Sequence, residues 1–228
     1  MMHCLRFPAR TLLLAVLSGL AQAQPAAEIK VMERQTLNAG DLRAHYEPPA
    51  ASTHELKLTL VYFSWGSWQR DEILKATGAM AGLLGQCGVR LAQVELVRVD
   101  APQQYHYFHT PVSRQLARVL QPGTPTVYFV TDTRQQPAFD AEAVGRGNSR
   151  TRPELADSVW VTRVTPEFGI ALAHELVHVL MDSGGHVEEP GNLMREDTTP
   201  GNTRLSAAQC ARLRDVGARN GLLRTISE

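Results

Sequence analysis

From Leu56 to Phe63 the chain alternates Leu56, Leu58 and Leu60 with Lys57 and Thr59 before turning fully apolar, which predicts a first strand. Ser67 to Cys87 places Ile73, Leu74, Met80, Leu83 and Leu84 at helical spacing. Asp71-Glu72 lies near the start and Gly88 follows the end, as helix termini prefer. Val89 to Val99 predicts a second strand, closed by Asp100-Ala101-Pro102. Strand, helix, strand implies a right-handed crossover and parallel pairing. Val112 to Leu120 reads as a short helix stopped by Pro122-Gly123-Thr124-Pro125, and Thr126 to Thr131 as a central strand buried on both faces. Asp132 to Phe139 is a polar loop. Ala143 to Asn148 is glycine-rich and short, as an edge strand or its loop would be, and an extended peptide can add to such an edge. Ser158 to Val164 gives a last strand.

The next segment, Phe168 to Met181, is strongly apolar, and its only ionisable residues are His174, Glu175 and His178. Thr165 is placed to cap this helix, with Pro166 at its first position and Glu167 in its first turn. His174-Glu175-Leu176-Val177-His178 is an H-E-x-x-H pattern. Positions four apart share a helix face, so both imidazoles can meet one ion with Glu175 beside them, which suits zinc and water activation. Gly184-Gly185 is the expected helix stop through the left-handed conformation. His186 follows at once, placed to return as a third ligand and leave one tetrahedral position for water. Pro190-Gly191-Asn192 signals a second turn that delivers Leu193-Met194. Ser206-x-x-Gln209 is a capping box, opening a terminal helix with Leu213, Val216 and Gly217 facing inward.

His174, Glu175, His178, His186 and the Asn192-Leu193-Met194 turn together resemble the metzincin clan of zinc endopeptidases, whose motif is H-E-x-x-H-x-x-G-x-x-H with a later Met-turn. The clan's glycine would fall at Met181 and its third His at Gly184, so the helix here is longer before it bends. The resemblance implies an α+β fold with an α/β-like N-terminal part: a twisted mixed sheet of about five strands, a first helix, the zinc-binding helix and a small C-terminal subdomain ending in a helix. It also implies one catalytic Zn²⁺ held by His174, His178 and His186, with Glu175 as general base and Met194 as an apolar floor beneath the metal. By spacing alone Met194 is a core methionine. Two other readings stand beside this one. A gluzincin-like site would take Glu188, Glu189 or Glu196 as third ligand, and a non-catalytic secreted domain would bind metal without turnover.

Arg6 and Arg10 precede an apolar run, Thr11 to Leu20, ending in Ala21-Gln22-Ala23. This is the pattern of a secretory leader, residues 1–23, cleaved after Ala23, which makes the expected location secreted or periplasmic. The full chain of 228 residues balances 23 basic against 23 acidic groups, and loss of Arg6 and Arg10 leaves a net charge of about −2. Such a balance argues against a nucleic-acid partner. No later segment approaches a membrane span. The expected partner is a peptide or protein substrate, and the assumed state a monomer. Of three cysteines, Cys4 leaves with the leader, and Cys87 and Cys210 are the expected disulfide in an oxidising compartment. Residues 24–55, rich in Ala, Pro, Glu and Gln, read as a mobile N-terminal segment or short pro-region. Residues 56–228 read as a catalytic domain, with subdomains 56–184 and 185–228. Tyr105-His106-Tyr107-Phe108-His109 is an aromatic stretch that can line a pocket, hold a second metal or simply pack.

Overall fold

The computed structural model of the chain describes residues 28–133, 143–145, 155–163, 166–197 and 199–226. The expected leader at 1–23, Thr165 and the Arg146-Gly147-Asn148 stretch lie outside the described residues. In chain order the elements are β1 (Lys30–Asn38), β2 (His54–Phe63), α1 (Arg70–Gly85), β3 (Val89–Asp100), a 3-10 turn (Gln103–His106), β4 (Tyr107–Phe108), α2 (Thr110–Leu120), β5 (Thr126–Phe129), β6 (Asp132–Thr133), β7 (Ala143–Gly145), β8 (Ser158–Val161), α3 (Phe168–Met181), α4 (Ala207–Arg219) and β9 (Leu223–Thr225). One mixed sheet runs β1-β3-β2-β5-β8-β7, with β9 added beside β2, so the expected mixed sheet of about five strands holds seven among the described residues. β2, β3, β5 and β8 are parallel, as the strand–helix–strand order requires, while β1, β7 and β9 pair antiparallel at its margins.

β2 explains the layering. Leu56, Leu58, Leu60 and Tyr62 enter a core shared with α1, α3 and α4, whereas Val61 and Phe63 enter a second core beneath α2 and the Gln103–Phe108 segment. Helices therefore cover both faces. α3 lies close against α1 because Gly169 faces Ala79, where an added Cβ would come within 2.5 Å of the alanine methyl.

The N-terminal segment is a correction. From Lys30 it forms β1, paired antiparallel along β3, and Leu42 and Tyr46 are buried behind it. Tyr46 Oη accepts from the Leu91 amide at 3.3 Å. Gly78 makes room for this chain, since a Cβ there would meet the His45 carbonyl oxygen at 2.0 Å. β1 carries almost no buried side chain, only Leu37, so its polar sequence hides a strand that main-chain pairing holds. At the other terminus, Glu55 at the start of β2 accepts from both Arg90 and Arg224, fastening β9 to the sheet. The disulfide joins Cys87, just past α1, to Cys210 in α4.

Candidate metal centre

α3 is apolar nearly all round, and everything from Ala171 to Met181 is buried, so the three polar side chains at 174, 175 and 178 enter the interior with it. Burying them demands partners. Glu167, rather than Thr165, is the residue that precedes the helix. Its end also differs from the expectation. Asp182, not a glycine, takes the left-handed conformation (φ 47, ψ 55), and neither Gly184 nor Gly185 has positive φ. A short polar side chain tolerates that region better than a bulky one. The reversal turns the Ser183 carbonyl back onto the helix, where it accepts from His178 Nδ1 at 2.6 Å.

The chain then returns past His186 and is pinned by Val187 N donating to the Met194 carbonyl at 2.9 Å. The Asn192-Leu193-Met194 turn lies behind His174. Leu193 offers its carbonyl to His174 Nδ1 at 2.8 Å. Asn192 Oδ1 accepts from the Met194 amide at 2.9 Å, and its amide pairs both ways with that of Gln209, at 3.0 and 3.2 Å. Gln209 is also the capping-box partner of Ser206 at the start of α4.

Three Nε2 atoms consequently converge. His174 and His178 lie 2.9 Å apart, and each lies 3.2 Å from His186. Backbone carbonyls can only accept, so the Nδ1 atoms of His174 and His178 carry the protons and their Nε2 atoms face one another as bare lone pairs. Neutral rings in that tautomer cannot hydrogen-bond to each other, and a cation between them resolves the repulsion. Tetrahedral zinc with Zn–N near 2.05 Å needs nitrogens about 3.3 Å apart, close to the observed triangle. The carbonyls behind the rings are the partners that orient metal-bound histidines. Burial, then the neighbouring His174, depress the pKa of His178 to about 4, with the Ser183 carbonyl opposing. The imidazole is thus poised in its ligating, neutral form.

His174, His178 and His186 are the only such metal-holding group among the described residues. Glu188, Glu189 and Glu196 are exposed and outside it, and Glu189 accepts from Asn192 Nδ2. Glu175 is buried on the same helix, and the Met194 side chain is fully buried in the core that α3 shares. His106 and His109 are not brought together as ligands: His106 donates to the Ala101 carbonyl and stacks on Phe63, while His109 precedes α2. The carbonyls of Ser183 and Leu193 have no signature in a sequence. Gln209 was legible as a capping residue but not as the clamp on Asn192.

No protein-family model matches the chain, and no curated protein matches it by sequence. Among solved structures it is similar to archaemetzincin from Methanopyrus kandleri, with a TM-score of 0.50 and 14% identity over 72% of this chain and 97% of that one. The fold is therefore that of archaemetzincin. Metalloproteinase-II from Bacteroides fragilis aligns with a TM-score of 0.47 and 18% identity over 75% of this chain; the chain spans 56% of that protein's length.

Proposed function

We propose that the chain is a secreted, zinc-dependent endopeptidase with a single catalytic ion held by His174, His178 and His186. The observation that carries this reading is the convergence of three Nε2 atoms with two rings fixed from behind by carbonyls. Its setting in the fold of a protein named as a metzincin agrees with it. Zinc bound there would polarise a scissile carbonyl and lower the pKa of a water toward about 7. Glu175 takes the proton of the attacking water on its carboxylate and delivers it to the leaving amine. Its burial beside the ligands keeps solvent away from that transfer. His186 is exposed, so the fourth side of the site opens to substrate. The turn at Asn192-Leu193-Met194 supplies a carbonyl to His174, and Met194 packs as apolar support below the ligands. α3 packs against β7, which ends the sheet order, and an extended peptide pairs along that strand.

The test is Glu175→Gln, which keeps shape but cannot take a proton. Zinc should stay near one per chain while cleavage of a mixed peptide library falls by about 10² to 10⁴. His178→Ala should lose zinc and activity together. Wild type that holds zinc yet cleaves nothing in the library would make this a metal-binding module instead.

A further inference from the structure

β3 lies on one side of β2 and β5 on the other, so the chain reverses its direction of travel across the sheet at β2. Open α/β sheets bind ligands outside the carboxyl ends of their strands at such a reversal. A cavity of about 590 Å³ occupies that position here, within the usual range for small-molecule sites. Trp65, Gly66 and Ser67 follow the end of β2, Ala101 and Gln103 follow β3, and Thr131 follows β5. His106 and Tyr107 complete the lining and bring in the aromatic stretch that the metal centre does not use.

Trp65 in this cavity is not explained by packing, and His106, stacked on Phe63, keeps a ring nitrogen that packing does not use. Trp65 is 82% exposed, whereas Trp68 and Trp160 are buried. His106 is only 8% exposed, yet it lines the cavity. Its Nε2 donates to the Ala101 carbonyl at 3.1 Å, which leaves Nδ1 as an acceptor with no hydrogen bond among the described residues. Next to Trp65, Ser64 Oγ is the only buried side-chain oxygen without a hydrogen bond among the described residues. Among the described residues no lysine, arginine or carboxylate lines the cavity, so that lining offers no charge to a phosphate or a cation. It offers an indole face, a phenol ring, two hydroxyls, an amide and an imidazole acceptor.

We propose that this cavity is a binding site for an uncharged sugar ring, separate from the metal centre. The apolar C–H face of a pyranose lies flat on Trp65. Its hydroxyls, each both donor and acceptor, meet His106 Nδ1, Ser67, Gln103 and Thr131. The site shares no lining residue with the ligand triangle: α3 starts beside Trp68, and its ligands come only from His174 onward. The proposal does not depend on peptidase activity.

Trp65 is the one exposed tryptophan of three, so its emission reports directly on the cavity. The full chain is titrated with cellobiose, maltose, lactose and N,N′-diacetylchitobiose, and with N-acetylphenylalaninamide as a non-sugar aromatic. At least one disaccharide should shift the emission saturably and protect it from iodide quenching. By calorimetry, Trp65→Ala should bind that sugar about tenfold or more weakly and Thr131→Val more weakly than wild type, with zinc content unchanged in both. The proposal is overturned if no disaccharide binds saturably, if Trp65→Ala binds as well as wild type, or if only the aromatic amide binds.

Discussion

An imidazole whose Nδ1–H is tied to a carbonyl presents its other nitrogen in a fixed direction, and His174 and His178 are both held this way. His186 completes the triangle from outside the helix, eight residues beyond His178. His186→Ala should therefore weaken zinc binding by more than the ~10–100-fold typical of losing an outer partner. Glu188→Ala, Glu189→Ala and Glu196→Ala should stay near wild type in the same chelator competition. Should one of the glutamate variants lose zinc while His186→Ala keeps it, the carboxylate-ligand reading takes over. At this scale the imidazoles were legible, because few other roles place two histidines four apart on an apolar helix. The carbonyls of Ser183 and Leu193 were not, because a carbonyl is the same in every residue and only its direction matters.

Elements were legible where side-chain pattern makes them and illegible where the main chain does. β2, α1, β3 and β5 announce themselves through buried apolar positions. β1, exposed along most of its length, is a strand only because β3 is beside it. The end of α3 shows the same limit: the glycines at 184 and 185 look like the stop, but Asp182 makes the left-handed turn one residue past the last helical one. That turn aims Ser183 at His178, so its cost should appear in both stability and metal binding. Asp182→Asn should behave like wild type, whereas Asp182→Val, β-branched and unsuited to positive φ, should cost about 1–2 kcal/mol. Urea unfolding and zinc titration of the two variants measure it, and equal behaviour would show that the conformation at 182 does not set the ligand geometry.

At the level of the whole molecule, the covalent closure of 123 residues between Cys87 and Cys210 links the first helix to the last. Both cysteines were legible as a pair because no other cysteine follows residue 23, where the expected leader ends. The loop-entropy model gives this closure an upper value of about 4–5 kcal/mol, so Cys87→Ser with Cys210→Ser should lower the unfolding free energy by up to that amount. Denaturant titration of the oxidised protein against this double variant reads it directly; identical midpoints would remove the bond from the account of stability. The seven-stranded sheet was only partly foreseen, since β9 is three residues long and is fixed by Arg224 on Glu55 rather than by its own sequence. Cys210 also stands next to Gln209, whose amide grips Asn192 and through it the turn behind His174. In a reducing cytoplasm this bond does not form. The first turn of α4 then keeps its hydrogen bonds and packing but loses its covalent tie to the end of α1, and the ligand triangle loses part of its backing. Metal affinity should thus follow the redox state of a bond that touches none of the ligands, so that the surroundings of the chain, and not only its sequence, set how firmly the triangle is held.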